Sequence, residues 1–342
     1  MKRCYQSLLV LMCCVACPAA WSQTVKITPL GTHDGELCDR DRATIFEDPT
    51  GVRILYDAGQ SVMGANDPRV GTIHAVLLSH AHTDHIGDRK IAAMNAGTCE
   101  KPETVSALPN TTVAEIAAAK NASLIMIRNM AFFLGRKIEN IRGKPTGTCA
   151  EAGGAIAAVQ PAPCIAPVEL GGTKVVKAAG AANGVEITTV YAAHDSTLTR
   201  DMLTEAQKKA LEPDNISVSL GAPSGYVVKF TNGLKIYLSG DTALHSEMRT
   251  VVHDFHKVNL AVINLGPNAI SSEAAAYAIN ELVAPASVIV SHPNEGVTSG
   301  GKIKSNARTK QFVDLLKGRP VYLALSGKTM EFDGNAKCAA GC

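Results

Sequence analysis

The chain has no tract of clustered Lys and Arg, and its charges nearly cancel: 33 basic residues stand against 31 acidic ones. Two of the basic residues, Lys2 and Arg3, lie at the extreme N-terminus, so the rest of the chain carries 31 of each sign. A nucleic-acid-binding face needs basic side chains gathered to neutralise phosphates, so no nucleic-acid partner is expected. Long apolar runs are also missing. The most apolar stretch, Leu8 to Cys17, stops at Pro18 and falls short of the ~20 residues that cross a bilayer. No low-complexity tract of the kind that stays disordered is present, and with 46% hydrophobic residues the chain can bury a large core. It offers no convincing Ser or Cys nucleophile either, and that shifts the weight of any catalytic reading from covalent chemistry to metals.

The N-terminus itself is informative. A basic start, a short apolar run and small residues to Ser22 form the layout of a secretory signal peptide over residues 1–22. Ala20 and Ser22 occupy the positions a signal peptidase reads, so cleavage is expected after Ser22. That leaves one domain over 23–342, periplasmic or secreted, with no stable membrane span. An alternative is lipidation of Cys17 in "CVAC", although the usual Leu three places earlier is absent. The leader takes four of the ten cysteines, and Cys38, Cys99, Cys149, Cys164, Cys338 and Cys342 remain. An even number in an exported chain suggests disulfides. At least one bridge is expected within 99–164, where Cys149 and Cys164 bracket a Gly-, Ala- and Pro-rich segment, and a local Cys338–Cys342 link is a further candidate.

Periodicity supplies the elements. Strands are expected over 24–32, at 44–59 as a pair around Asp48-Pro49-Thr50-Gly51, and over 74–79, 123–127, 184–193, 260–266 and 286–292. A hairpin spans 224–241 with Asn232-Gly233 at its tip. Helices are expected over 86–96, 112–120, 128–138, 271–283 (with Ser272 as a cap) and 306–316. Residues 143–184 read as an inserted long loop or irregular hairpin. This order suits an α/β domain, a two-sheet core flanked by helices.

The stretch "LLSHAHTDHIGD" places three of the chain's ten histidines, with an acid, inside six positions. His80 and His82 extend from an apolar strand, and a period of two puts both on one side while the backbone stays extended. Asp84 and His85 then enter a turn. Asp57, His194, Asp241 and His292 each close another apolar strand. Polar groups at the ends of rigid strands, on one rim, are how a scaffold assembles a site from distant sequence. His and carboxylate are zinc ligands, and this set is large enough for two cations with Asp241 able to bridge; manganese and iron accept the same ligands.

H-A-H-T-D-H at 80–85, His194 at a strand end, "SGD" with Asp241, "SHPNEG" with His292 and "DAG" at 57–59 resemble, in order, the motifs of the metallo-β-lactamase superfamily of metal-dependent hydrolases. The resemblance spans about residues 25 to 326. The stretch 221–248 and the helix-rich segment before "VIVSHPNE" look most like the branch that includes ascorbate-6-phosphate lactonase. The leader and the cysteines set this chain apart from that cytoplasmic enzyme and argue against a phosphorylated sugar. The resemblance implies an αββα sandwich of two mixed β-sheets flanked by helices. It implies a first zinc on His80, His82 and His194, a second on Asp84, His85 and His292, and Asp241 on both. Asp57 would orient a ligand imidazole from behind, and Asp84 would also hold or shuttle a proton. Zinc-dependent β-lactamases generally lack the bridging Asp, so a wider hydrolase role is implied. Paired cations acidify a shared water, whose hydroxide attacks a carbonyl carbon or a phosphorus.

Other polar residues are weaker candidates for substrate contact: His33 after the first strand, His245 four residues beyond Asp241, and Asn294 and Glu295 beyond His292. Asp195 is either a partner to a ligand or a turn former. His74 reads as structural, His253 and His256 as helix-surface residues, and "SGGK" at 299–302 as a Gly-rich turn. The function expected is an exported dinuclear zinc hydrolase acting on a small-molecule ester, lactone or related carbonyl compound. A phosphodiesterase, a β-lactamase and a non-catalytic metal-binding protein are the alternatives.

Overall fold

The computed structural model describes residues 23–342; the leader and its cleavage point lie outside them. Two mixed β-sheets face each other. The first has eight strands, in spatial order Cys164–Val168, Ser123–Ile127, Ala75–Leu77, Arg53–Tyr56, Thr44–Glu47, Val25–Pro29, Met330–Phe332 and Cys338–Ala340. The second has nine, in spatial order Val321–Leu323, Ser287–Ser291, Leu260–Asn264, Lys235–Leu238, Ser224–Lys229, Val185–Tyr191, Thr173–Lys177, Ala155–Ala157 and Glu151–Ala152.

Alternation along the strands explains the layers. Ile54, Tyr56, Ala75 and Leu77 enter the core shared by the two sheets, whereas Leu55, Val76 and Leu78 point the other way. Those outward residues pack under the helices Thr112–Lys120 and Arg128–Arg142, against Ile116, Met130, Leu134 and Ile138. On the far side of the second sheet, Ile279 and Phe312 anchor the helical segments Ser272–Val283 and Arg308–Leu315. The result is an αββα sandwich. No helix among the described residues is long and apolar enough to cross a membrane.

Three expectations are corrected. The helix expected over 86–96 is confined to Thr83–Ile86, because Gly87 takes a left-handed backbone (φ 76°) and ends it. The chain then forms a short hairpin, Arg89–Ile91 with Thr104–Ser106. The segment 143–184 is no loop. Three of its strands build the outer edge of the second sheet, and Cys164–Val168 pairs in parallel with Ser123–Ile127 at the edge of the first. Pro167 is tolerated there because an edge strand leaves one side of its backbone unpaired. Finally, the cap of the helix beginning at Ser272 is Ser271, whose hydroxyl accepts from the Ala274 amide at 3.2 Å. The six cysteines sit as the pairs Cys38–Cys99, Cys149–Cys164 and Cys338–Cys342, the second of them inside the segment 99–164.

Parallel pairing positions the site. Lys235–Leu238, Leu260–Asn264 and Ser287–Ser291 run in parallel, as do Arg53–Tyr56 and Ala75–Leu77, so within each set the C-terminal ends share one rim. The sheets are tied at that rim. The Tyr226 hydroxyl donates to the Leu78 carbonyl at 2.7 Å, and the Ser224 amide donates to the Ser79 carbonyl at 2.9 Å.

Candidate metal centre

The strand Ala75–Leu77 leads straight into Ser79 and His80, both buried. The backbone is still extended at His82 (φ −62°, ψ 149°), which caps the short helix Thr83–Ile86. Two extended steps bring the rings of His80 and His82 to the same side, with centroids 4.5 Å apart. His194 follows Val185–Tyr191, Asp241 follows Lys235–Leu238, and His292 follows Ser287–Ser291.

These side chains converge in three overlapping groups: His80, His82 and His194; His80, His85 and Asp241; Asp84, His85 and His292. Within each group the candidate donor atoms lie within 4.8 Å of one another. Asp241 stands between them. Its Oδ1 is 3.4 Å from Nε2 of both His85 and His292, and its Oδ2 is 3.8 Å from His194 Nε2. Nε2 of His80, Nε2 of His85 and Oδ1 of Asp241 are buried and have no hydrogen-bond partner among the described residues. One such orphan costs stability; several converging on one place fit a bound cation, and nitrogen with carboxylate oxygen is a zinc-type donor set.

The imidazoles are aimed from behind. Asp57 accepts from the Ser79 amide and hydroxyl, each at 2.8 Å, and from His85 Nδ1 at 2.8 Å. The Ser79 hydroxyl oxygen also lies 3.0 Å from His80 Nδ1. With Nδ1–H of both rings engaged, their Nε2 lone pairs face the cluster. His82 is held the opposite way round: its Nε2 donates to Asp195 at 2.9 Å, and its Nδ1 lies 3.3 Å from His194 Nε2. Such partners fix tautomer and ring angle. Asp57, His292 and Asn294 adopt left-handed backbones (φ 42°, 49° and 49°), a cost of about 1–3 kcal/mol each that the surrounding contacts must offset. Two glycines permit close approach: a Cβ on Gly59 would sit 2.3 Å from the Asp84 carbonyl, and one on Gly266 would sit 2.9 Å from the His292 ring. Gly59 thereby gives the "DAG" stretch a steric reason.

The electrostatics show three carboxylates sharing few cations. Burial drives His80 well below the usual imidazole range. Burial also opposes ionisation of Asp84 and Asp241. Arg42 beside Asp84, and the His292 and His85 rings beside Asp241, nevertheless hold both carboxyls well below the usual range. Burial would lower His85, but Asp241, Asp57 and Asp84 outweigh it and raise its pKa to about 10. A cation taking the place of that proton relieves the same negative charge. Partial burial works against ionisation of Asp195, yet the Thr197 amide and the His82 ring bring its pKa down to about 2.

Not every residue singled out in the sequence joins the cluster. The His33 ring meets Thr32 Oγ1 and the Gly97 carbonyl instead. His245 packs its ring against Tyr191, and neither of its buried nitrogens has a partner among the described residues. Glu295 is corrected: its carboxylate accepts from the amides of Arg308 and Thr309 and from the Thr309 hydroxyl, so it caps the helix Arg308–Leu315 and is spent there. Asn294 does reach the site, through Arg42. His74 accepts from the Arg53 amide, a structural role. Sequence reasoning passed over Ser79 and Arg42. Ser79 could have been suspected from its place directly before His80. Arg42 lies in "CDRDR", which carries no such signal.

A two-sheet αββα scaffold with a buried His/Asp cluster at the strand ends defines a class, the metal-dependent hydrolases of the metallo-β-lactamase fold. A family model described as the β-lactamase superfamily domain matches residues 52–292, and the chain belongs to that superfamily. It is 26% identical over 266 residues to a metal-dependent hydrolase of Polynucleobacter asymbioticus, covering 77% of this chain and 71% of that one. It is 24% identical over 302 residues to a metal-dependent hydrolase of Staphylococcus epidermidis, covering 87% and 100%. The structure of Igni18, a metallo hydrolase from Ignicoccus hospitalis, shares the fold, with a TM-score of 0.54 at 20% identity over 91% of this chain and 99% of that one.

Proposed function

We propose that this metal-dependent hydrolase is an exported dinuclear zinc enzyme that cleaves an ester, a lactone or a related carbonyl substrate. One observation carries the dinuclear part: the Asp241 carboxylate points one oxygen at His85 and His292 and the other at His194. In this reading His80, His82 and His194 would hold one cation, Asp84, His85 and His292 would hold the other, and Asp241, which lies between the two groups, would serve both. Bound zinc supplies Lewis acidity and brings the pKa of a coordinated water toward neutrality. The chain does the rest. Asp57 and Ser79 keep the His80 and His85 rings in one tautomer, Asp195 does the same for His82, and Asp84, kept ionised by Arg42, serves as an anionic ligand and not as a proton acceptor. The preference over a β-lactamase rests on Asp241, and the carbonyl-substrate preference on the lactonase-like pattern of residues 221–248. Export rests on the leader, and intact mass of periplasmic material should begin at Gln23.

The deciding experiment is a hydrolysis screen of the zinc-loaded protein across lactones, thioesters, phosphodiesters and β-lactams. Chelator-sensitive turnover of lactones or esters above the other classes is expected. Turnover confined to phosphodiesters would move the assignment to phosphodiesterase, and no chelator-sensitive turnover of any class would support the non-catalytic reading.

A further inference from the structure

Arg42 is a fully buried guanidinium at the edge of the cluster, with its side chain 2% exposed. Its Nη2 lies 2.5 Å from Asp84 Oδ2 and donates to Asn294 Oδ1; its Nη1 reaches the Asp39 carbonyl at 3.3 Å; its Nε has no partner among the described residues. The same Asp84 oxygen is the one nearest the two histidines of its group, 3.4 Å from His292 Nε2 and 3.7 Å from His85 Nε2. A guanidinium on the outer oxygen would orient the carboxylate and help it bind a metal. Here the guanidinium sits on the oxygen that a cation between Asp84, His85 and His292 would use.

Arg42 is also held from behind. Asp41, fully buried, accepts from the Thr32 amide at 2.7 Å and the Cys38 amide at 2.8 Å. Cys38 is joined to Cys99. On the other side of Arg42, the Ala43 carbonyl accepts from the Leu30 amide at 2.8 Å. The charge is therefore fixed in place.

We propose that Arg42 makes the two cation positions unequal. It is a positioning residue that contends with the second cation for Asp84 Oδ2, so the His80, His82 and His194 position fills first and the Asp84, His85 and His292 position fills weakly. This inference rests on the dinuclear reading above. Its chemical basis is that one oxygen cannot give the same lone pairs to a charge-assisted hydrogen bond and to a metal, and a fixed positive charge repels an incoming dication in a poorly solvated site.

The test uses the full mature chain, stripped with chelator and titrated with Zn²⁺ by calorimetry, with Co²⁺ absorption spectra as a second readout of each site. Wild-type protein should bind zinc in two steps, the second weaker by about tenfold or more, a conservative figure for one unit charge at this range. Arg42→Met, which keeps the stem and drops the charge, should tighten the second step by at least about tenfold and leave the first unchanged. Arg42→Lys should stay near wild type. Equal affinities in wild type overturn the proposal, and so does an Arg42→Met variant whose second step is unchanged or weaker. The wild-type titration stands whether or not the variants fold. Binding of only one zinc by both wild type and Arg42→Met, or of none, would instead overturn the dinuclear reading itself.

Discussion

Replacing Asp241 with Ala removes the one carboxylate that faces both groups of donors. Its two oxygens lie 3.4 Å from His85 and His292 and 3.8 Å from His194, so a charge placed in either group sits roughly 4 Å away. At an effective dielectric of about 20, a carboxylate and a dication at that distance attract by about 8 kcal/mol, and each 1.4 kcal/mol is about a factor of ten in affinity. Relaxation of the buried cluster consumes most of this, leaving a weakening of the second zinc by about two decades. The two dications also lose the negative charge that screens their mutual repulsion. Asp241→Ala should therefore retain close to one zinc per chain after dialysis, measured by plasma mass spectrometry, and should lose nearly all hydrolysis of whichever substrate the screen identifies. Its circular dichroism should match wild type, because the strand leading to position 241 is held by Ile236 and Leu238, both fully buried. His253→Ala is the control: its ring bonds to the Val283 carbonyl, outside the cluster, and neither metal content nor rate should change. Two tightly held ions in Asp241→Ala with activity intact would falsify the bridging role.

Three further outcomes follow from particular contacts. Ser79→Ala removes the hydroxyl shared by Asp57, His80 and His85, so zinc affinity should fall by about 10- to 100-fold with the fold preserved; unchanged zinc affinity would show that the hydroxyl does not orient the rings. Glu295→Ala uncaps the helix Arg308–Leu315 and should lower stability in urea by about 0.5–2 kcal/mol, leaving KM untouched. A raised KM without loss of stability would restore Glu295 as a substrate contact. Thiol counting on denatured, non-reduced protein spanning residues 23–342 should find none free, given the pairs Cys38–Cys99, Cys149–Cys164 and Cys338–Cys342. Reduction should cost about 3 kcal/mol for the 149–164 loop alone in the chain-entropy picture, and six free thiols would refute the pairing.

The features legible in the residue order alone were local. Alternation and apolar runs marked the central strands, because a strand buried on both faces has to be apolar along its length, as "LAVIN" and "SVIVS" are. The polar residues ending those runs were visible as His80, His82, Asp84, His85, His194, Asp241 and His292, since a hydrophobic strand must stop where it leaves the core. Features that depend on partners distant in sequence became visible in the folded chain. The strands of 143–184 are short and weakly patterned, and they exist because sheet edges elsewhere in the chain are there to pair with them. Gly87 could end a helix only once Thr83–Ile86 was known to have begun one. Glu295 looked available to substrate until the helix starting 13 residues later turned its amides onto it. Arg42 lies 42 positions before Asp84 in a stretch with no motif, yet the fold sets its guanidinium on that carboxylate. Contacts of this kind are made by backbone geometry across the whole sandwich, and no local pattern of residue types encodes them.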